Sequence, residues 1–132
     1  MSSTLITGAA GFIGSHLADA LLSRGEQVVC LDNFDTYYDP AHKRANVAPQ
    51  LSNPHYTLVE GDIRDRELVM RLFDERRFDR VVHLAALAGP RASVVNPALY
   101  ADVNISGTLN LMDAAHKFEV GNFIQASKGS GA

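Results

Sequence analysis

Along these 132 residues the apolar positions switch repeatedly between strand-like runs and a helical period. Residues 4–7 form a first short β-rich run that leads straight into Gly8, Gly11 and Gly14. From about residue 11 to residue 24, Ile13, Leu17, Ala20 and Leu21 recur at helical spacing with one buried face, and Gly25 supplies a C-terminal stop. Residues 27–31 are almost continuously β-branched and apolar, as in a strand covered on both faces. Between residues 32 and 54 the periodicity dissolves into Asp, Asn, Pro and the adjacent Tyr37 and Tyr38. That stretch predicts a long loop with a short helix around 41–47, and loops this long are often functional. Residues 56–60 predict a third strand. Asp65 is placed to cap a helix whose buried face includes Leu68, Leu72 and Phe73. A fourth strand at 80–84, a small-residue loop at 85–96, a long helix at 97–117 and a fifth strand at 122–126 complete the pattern.

Regular alternation of β and α elements implies right-handed crossovers and a parallel sheet with helices on both faces. The expected fold is α/β: a Rossmann-like, doubly wound parallel sheet of five strands in the order 3-2-1-4-5, truncated after the fifth. Residues 1–127 are expected to form one dinucleotide-binding domain, and 128–132 a linker-like tail.

Composition narrows the partners. Hydrophobic residues make up 46% and charged residues 20%, which suits a globular, soluble chain. The net charge of −3, with both signs interspersed, gives no electrostatic reason to expect nucleic acid or an anionic membrane. Cys30 is the one cysteine, so neither an intramolecular disulfide nor a multi-cysteine zinc site can form. Its apolar neighbours Val28, Val29 and Leu31 suggest a buried strand thiol in a reducing compartment. No segment approaches a membrane span, and no Lys or Arg precedes Arg24 to make a signal peptide, so a cytoplasmic location is expected.

The glycine turn carries the chemistry. Gly8 allows a tight turn out of the first strand, Gly11 lets a phosphate approach the backbone, and Gly14 lets the first helix pack closely on the sheet. The helix start offers N–H groups and the positive end of the dipole to a pyrophosphate. Asp32, eighteen residues past Gly14, falls at the tip of the second strand. A carboxylate there can accept both hydroxyls of an adenosine ribose and would repel a 2′-phosphate, which favours NAD over NADP; a solvated turn aspartate is the plainer reading. Asp62 could accept from the adenine amino group while Ile63 packs on the ring, or it could be an ordinary helix cap. Asn104, in helical register with Thr108, Leu111 and Ala115, is a polar amide on an apolar stripe and needs a partner, either main chain or cofactor. His83 reads as a packing histidine at a strand end. Nothing marks His16, His42, His55 or His116 as metal ligands, and no metal site is expected.

Thr7-Gly8-Ala9-Ala10-Gly11-Phe12-Ile13-Gly14-Ser15, Asp32-Asn33, Gly61-Asp62-Ile63-Arg64, His83-Leu84-Ala85-Ala86 and Asn104-Ile105-Ser106-Gly107-Thr108 together resemble the extended short-chain dehydrogenase/reductase family. Within it the chain looks most like NAD-dependent nucleotide-sugar epimerases and dehydratases. Asp32-Asn33-Phe34, Tyr37-Tyr38-Asp39-Pro40 and Ala88-Gly89-Pro90-Arg91-Ala92-Ser93 are similar to the UDP-glucuronate 4-epimerase branch. The resemblance spans residues 3 to about 127. It implies cofactor contacts from Gly8, Gly11, Phe12, Ile13, Gly14, Asp32, Asn33, Asp62, Ile63, Leu84, Ala85, Ala86, Ala88 and Asn104.

The resemblance also implies a mechanism in which NAD takes hydride from C4 of the sugar and returns it to the other face. The base would be the tyrosine of a Tyr-x-x-x-Lys motif, with a Ser or Thr after the fifth strand. Here Tyr37, Tyr38, Tyr56 and Tyr100 are followed four residues on by Ala41, His42, Glu60 and Asn104, so none makes that motif. Lys128 stands where the catalytic Ser or Thr is expected, and Ser127 has no evident base beside it. No catalytic residue is therefore assigned. The leading expectation is the NAD-binding portion of a UDP-sugar 4-epimerase-like protein, catalytically incompetent alone, with UDP-sugar a partner only of a full-length relative. The alternative is a non-enzymatic NAD sensor or interaction module. An uncovered last strand and long helix also predict a homo-oligomer.

Overall fold

The computed structural model describes residues 2–8, 12–32, 47–84, 98 and 102–125, with Phe12, Val103 and Asn104 described by their backbone alone. The expected loop at 85–96, the tail at 128–132 and most of the expected helix at 41–47 lie outside these residues.

The first strand, β1, is Ser3–Thr7. It is followed by helix α1, Phe12–Ser23, and strand β2, Gln27–Asp32. A short 3-10 turn at Ala48–Gln50 precedes β3, Tyr56–Glu60. Helix α2, Arg66–Glu75, leads to β4, Arg80–His83. A π-wound segment, Asp102–Gly107, runs into α3, Thr108–Lys117, and β5 is Asn122–Gln125. All four strand pairings are parallel, and the sheet order is β3-β2-β1-β4-β5, as the alternation predicts.

The period-2 geometry of the strands distributes their side chains to two cores. Leu5, Val29, Leu31 and Val81 face α2 and α3, where they meet Val69, Leu72, Phe73 and Leu111. Ile6, Val28, Cys30 and Val82 face α1 and pack with Ala18, Leu21 and Tyr56. Both faces of the central strands are covered, which is why residues 27–31 carry no polar alternation. The 3-10 turn is fastened to α1 by Gln50, whose amide donates to the Ser15 carbonyl at 2.7 Å and to the Asp19 carboxylate at 3.0 Å.

Asp65 caps α2 as its position predicts, its carboxylate accepting from the Leu68 N–H at 3.2 Å. The last helix departs from expectation. An α period was expected to run unbroken through 97–117, but although Ala98 is α-helical, Asp102–Gly107 is π-wound and α3 spans Thr108–Lys117. Tertiary contact explains the departure. Gly107 lies so close to Ile63 that a Cβ would sit 2.5 Å from the Ile63 Cδ1 and Cγ1 atoms. One turn on, the Asn110 amide donates to the carbonyls of Ile63 at 3.0 Å and Arg64 at 3.2 Å. Such packing against the β3–α2 connection outweighs helical propensity, and π-wound turns are frequent at functional sites.

Candidate functional site

Four strands end side by side, and main-chain bonds knit their carboxyl ends together. The Gly8 N–H donates to the Leu31 carbonyl at 2.9 Å, Gly61 N–H to Asp32 at 3.1 Å, and Leu84 N–H to Thr7 at 2.9 Å. These bonds put Gly8, Asp32, Gly61-Asp62 and Leu84 along one edge of the sheet. β1 lies between β2 and β4, so the strand order reverses there, at the switch point where doubly wound sheets open a crevice for ligands.

Gly8 has φ of 73°, a left-handed conformation that a side chain disfavours. Beyond the turn, α1 begins with no acidic residue in its first turn, so no carboxylate offsets the positive end of its dipole. Gly14 is buried in that turn, and Ile13 is exposed. Asp32 is only 3% exposed, which removes the solvated-turn reading of this residue. Gly11, Asn33, Ala85, Ala86 and Ala88 lie outside the described residues, and the side chains of Phe12 and Asn104 are likewise undescribed. The π winding breaks the α register on which Asn104 was aligned with Thr108, Leu111 and Ala115.

Asp62 is not the helix cap, since Asp65 fills that role. Its carboxylate accepts from the Arg64 main-chain N–H at 2.9 Å, a local turn of the Asx kind. The Arg64 guanidinium also grips it, with Nε 3.0 Å from both oxygens and Nη2 on Oδ2. That hydrogen bonding raises the Arg64 pKa further above its ordinary value. Nη1 of the same guanidinium reaches Asp102 at 3.3 Å, on the π-wound segment. Ile63 is 3% exposed and turned into the core against Gly107.

Beneath the switch point lies a polar chain that the sequence pattern does not reveal. Fully buried His83 has Nδ1 2.6 Å from the Thr7 hydroxyl and Nε2 2.8 Å from the Thr108 hydroxyl. Thr7 Oγ1 also accepts from the Leu84 N–H at 3.0 Å. A neutral imidazole has one donor and one acceptor nitrogen, so it can bond both hydroxyls without carrying charge. Burial pushes its pKa down to about 4. Cys30 is a buried strand thiol as expected, and desolvation pushes it up to about 12, far from a reactive thiolate.

Residues 5–129 match the family model described as GDP-mannose 4,6 dehydratase. UDP-glucuronate 4-epimerase 1 of Arabidopsis thaliana is 50% identical over 111 residues, covering 84% of this chain and 26% of that protein. UDP-glucose 4-epimerase of Neisseria meningitidis serogroup A is 41% identical over 116 residues, covering 86% of this chain and 32% of that protein. The crystal structure of Thermus thermophilus UDP-glucose 4-epimerase in complex with NAD has a TM-score of 0.82 at 41% identity, covering 96% of this chain and 38% of that one. The chain thus spans between 26% and 38% of the length of these relatives. The reversed strand order, the glycine turn with its left-handed Gly8 and the matched residues place this chain in the NAD-dependent nucleotide-sugar epimerase/dehydratase family of extended short-chain dehydrogenases/reductases.

Proposed function

We propose that residues 1–127 bind NAD as the cofactor-holding portion of a UDP-sugar 4-epimerase-like protein. The observation that carries this reading is the pairing of left-handed Gly8 with buried Asp32 at adjacent strand tips beside the switch point. In this reading Gly8, Gly11, Phe12, Ile13, Gly14 and the start of α1 take the pyrophosphate, whose charge suits the acid-free first turn. Asp32 and Asn33 take the adenosine ribose, and Asp62 meets the adenine. The Ile63 side chain is buried in the core against Gly107, so Ile63 borders the adenine through its main chain alone rather than by packing on the ring. Leu84, Ala85, Ala86, Ala88 and Asn104 border the nicotinamide half. Bound NAD supplies a hydride acceptor; this chain's residues hold and orient it.

Residues 1–132 contain no Tyr-x-x-x-Lys motif, so alone they are expected not to epimerise a sugar. UDP-sugar recognition then belongs to a longer relative. Calorimetric titration of cofactor-free protein with NAD tests the binding. Saturable heat is expected, with Asp32→Asn weakening NAD about tenfold and narrowing its advantage over NADP, as loss of a charge-assisted bond predicts. No saturation at millimolar NAD would overturn the reading. A UDP-sugar turnover assay should show no conversion, and clear activity would refute the incompetence.

A further inference from the structure

Asp62 follows β3 at the adenine end of the proposed site, and a nearby side chain sets the direction of its carboxylate. The residue that does so is two positions away. Arg64 engages Asp62 through its main-chain N–H, Nε and Nη2, and a guanidinium fork of this kind defines the plane of the carboxylate it grips. A lysine could not, because an ammonium is a point charge without a plane. Arg64 is braced in turn. Its Nη1 bonds Asp102, which arrives on the π-wound segment from 38 residues further along the chain. Asn110 holds the Ile63 and Arg64 carbonyls from α3, and Arg66 pairs with Asp113 on the same helix at 2.9 Å. Residues 63, 64 and 66 are therefore all fastened to the π-wound segment or α3, with Arg64 at the centre. The Asp62 side chain nevertheless keeps 26% of its surface open to solvent.

We propose that Arg64 is a positioning residue for purine selectivity: it aims the Asp62 carboxylate at the exocyclic amine of the dinucleotide's adenine, and Asp102 braces it from the π-wound segment. This rests on the NAD-binding reading above. An ionised carboxylate only accepts hydrogen bonds, so it suits the amine of adenine and opposes the carbonyl of hypoxanthine. Selectivity between the two follows from how rigidly that carboxylate is held, because a swivelling one can turn away from the wrong base.

The test compares NAD with its deaminated analogue, nicotinamide hypoxanthine dinucleotide, by calorimetry on the full chain. The wild type is expected to prefer NAD by about tenfold or more. Arg64→Gln should bring that ratio below about threefold, and Arg64→Lys should leave it in between. Asp102→Asn, at a half-exposed surface position, carries the test if Arg64→Gln fails to fold, and it should lower the ratio by about twofold. A merely structural Arg64 would weaken both dinucleotides equally and leave the ratio untouched. An unchanged ratio in folded Arg64→Gln, or in Asp102→Asn where that variant carries the test, would overturn this inference while leaving NAD binding intact. A wild type that binds both dinucleotides equally would do the same. Binding of neither by the wild type would overturn the NAD-binding reading as well.

Discussion

His83 shows what one buried imidazole costs and contributes at the residue scale. Its two hydroxyl partners come from β1 and α3, so it ties three elements together below the crevice. A neutral ring can make both bonds, and burial keeps it neutral by lowering its pKa from 6.5 to about 4. In the unfolded chain the same side chain takes up a proton near pH 6.5. Between these values the unfolded state binds more protons, so stability from this residue is complete above about pH 7 and falls as pH drops towards 4. The span amounts to about 3 kcal/mol. Thermal midpoints measured from pH 7 to pH 4 should decline through this window. His83→Asn should be less stable at pH 7 but lose less on acidification, and equal losses in the two proteins would refute the assignment. The histidine was legible in the sequence as a packing residue at a strand end. Its partners were not, because Thr7 and Thr108 lie 76 and 25 residues away, and only the parallel register that sets Thr7 opposite His83 makes the first pairing visible.

At the scale of elements, the strands were readable because burial on both faces leaves unbroken apolar runs between turn residues. The observed strands match the expected ones to within one residue at each end. The glycine turn and Asp32 were readable for a related reason: a tight turn and a strand-end carboxylate are local features. The π-wound segment was not readable, since residues 102–107 continue a helical pattern and the cause of the winding lies 44 residues upstream at Ile63. That cause can be tested directly. Gly107→Ala places a methyl group 2.5 Å from Ile63 and should destabilise the fold by about 1–3 kcal/mol, the usual cost of overpacking. Ile63→Ala removes both clashing atoms, so the double variant should be more stable than the sum of the two changes predicts. Strict additivity in chemical denaturation would show that the Gly107–Ile63 contact does not set the winding. The same loop carries Arg64, whose position in Gly61-Asp62-Ile63-Arg64 drew notice only as part of a motif. Its role depends on Asp102, which the fold alone brings to it.

For the molecule as a whole, apolar surface is distributed unevenly. Ile105 is 60% exposed, Leu109 53% and Met112 50%, at successive spacings of four and three along the π-wound segment and α3. Ile124 on β5 is 51% exposed, and among the described residues no strand pairs with the outer edge of β5. Ile124 shares the α1 face of the sheet with its register partner Val82, so the patch on the α3 side consists of the other three side chains. Burying them would stabilise an interface by about 1 kcal/mol or more each, while an open strand edge offers unpaired main-chain groups. Self-association through this side is therefore expected, and light scattering at tens of micromolar should report a dimer or larger species. Leu109→Lys with Met112→Glu should shift the protein towards monomer without lowering its thermal midpoint at concentrations where the wild type is itself dissociated. The two substitutions sit on the exposed flank of α3, away from the Thr108, Leu111, Ala114 and Ala115 face that packs on the sheet. NAD affinity gives the decisive control, because Asp32 and Gly8 lie at the carboxyl ends of β2 and β1, away from this flank. A wild type that scatters as a monomer would refute the interface, and a charged variant that loses both assembly and NAD binding would show that the substitutions disturb the fold itself.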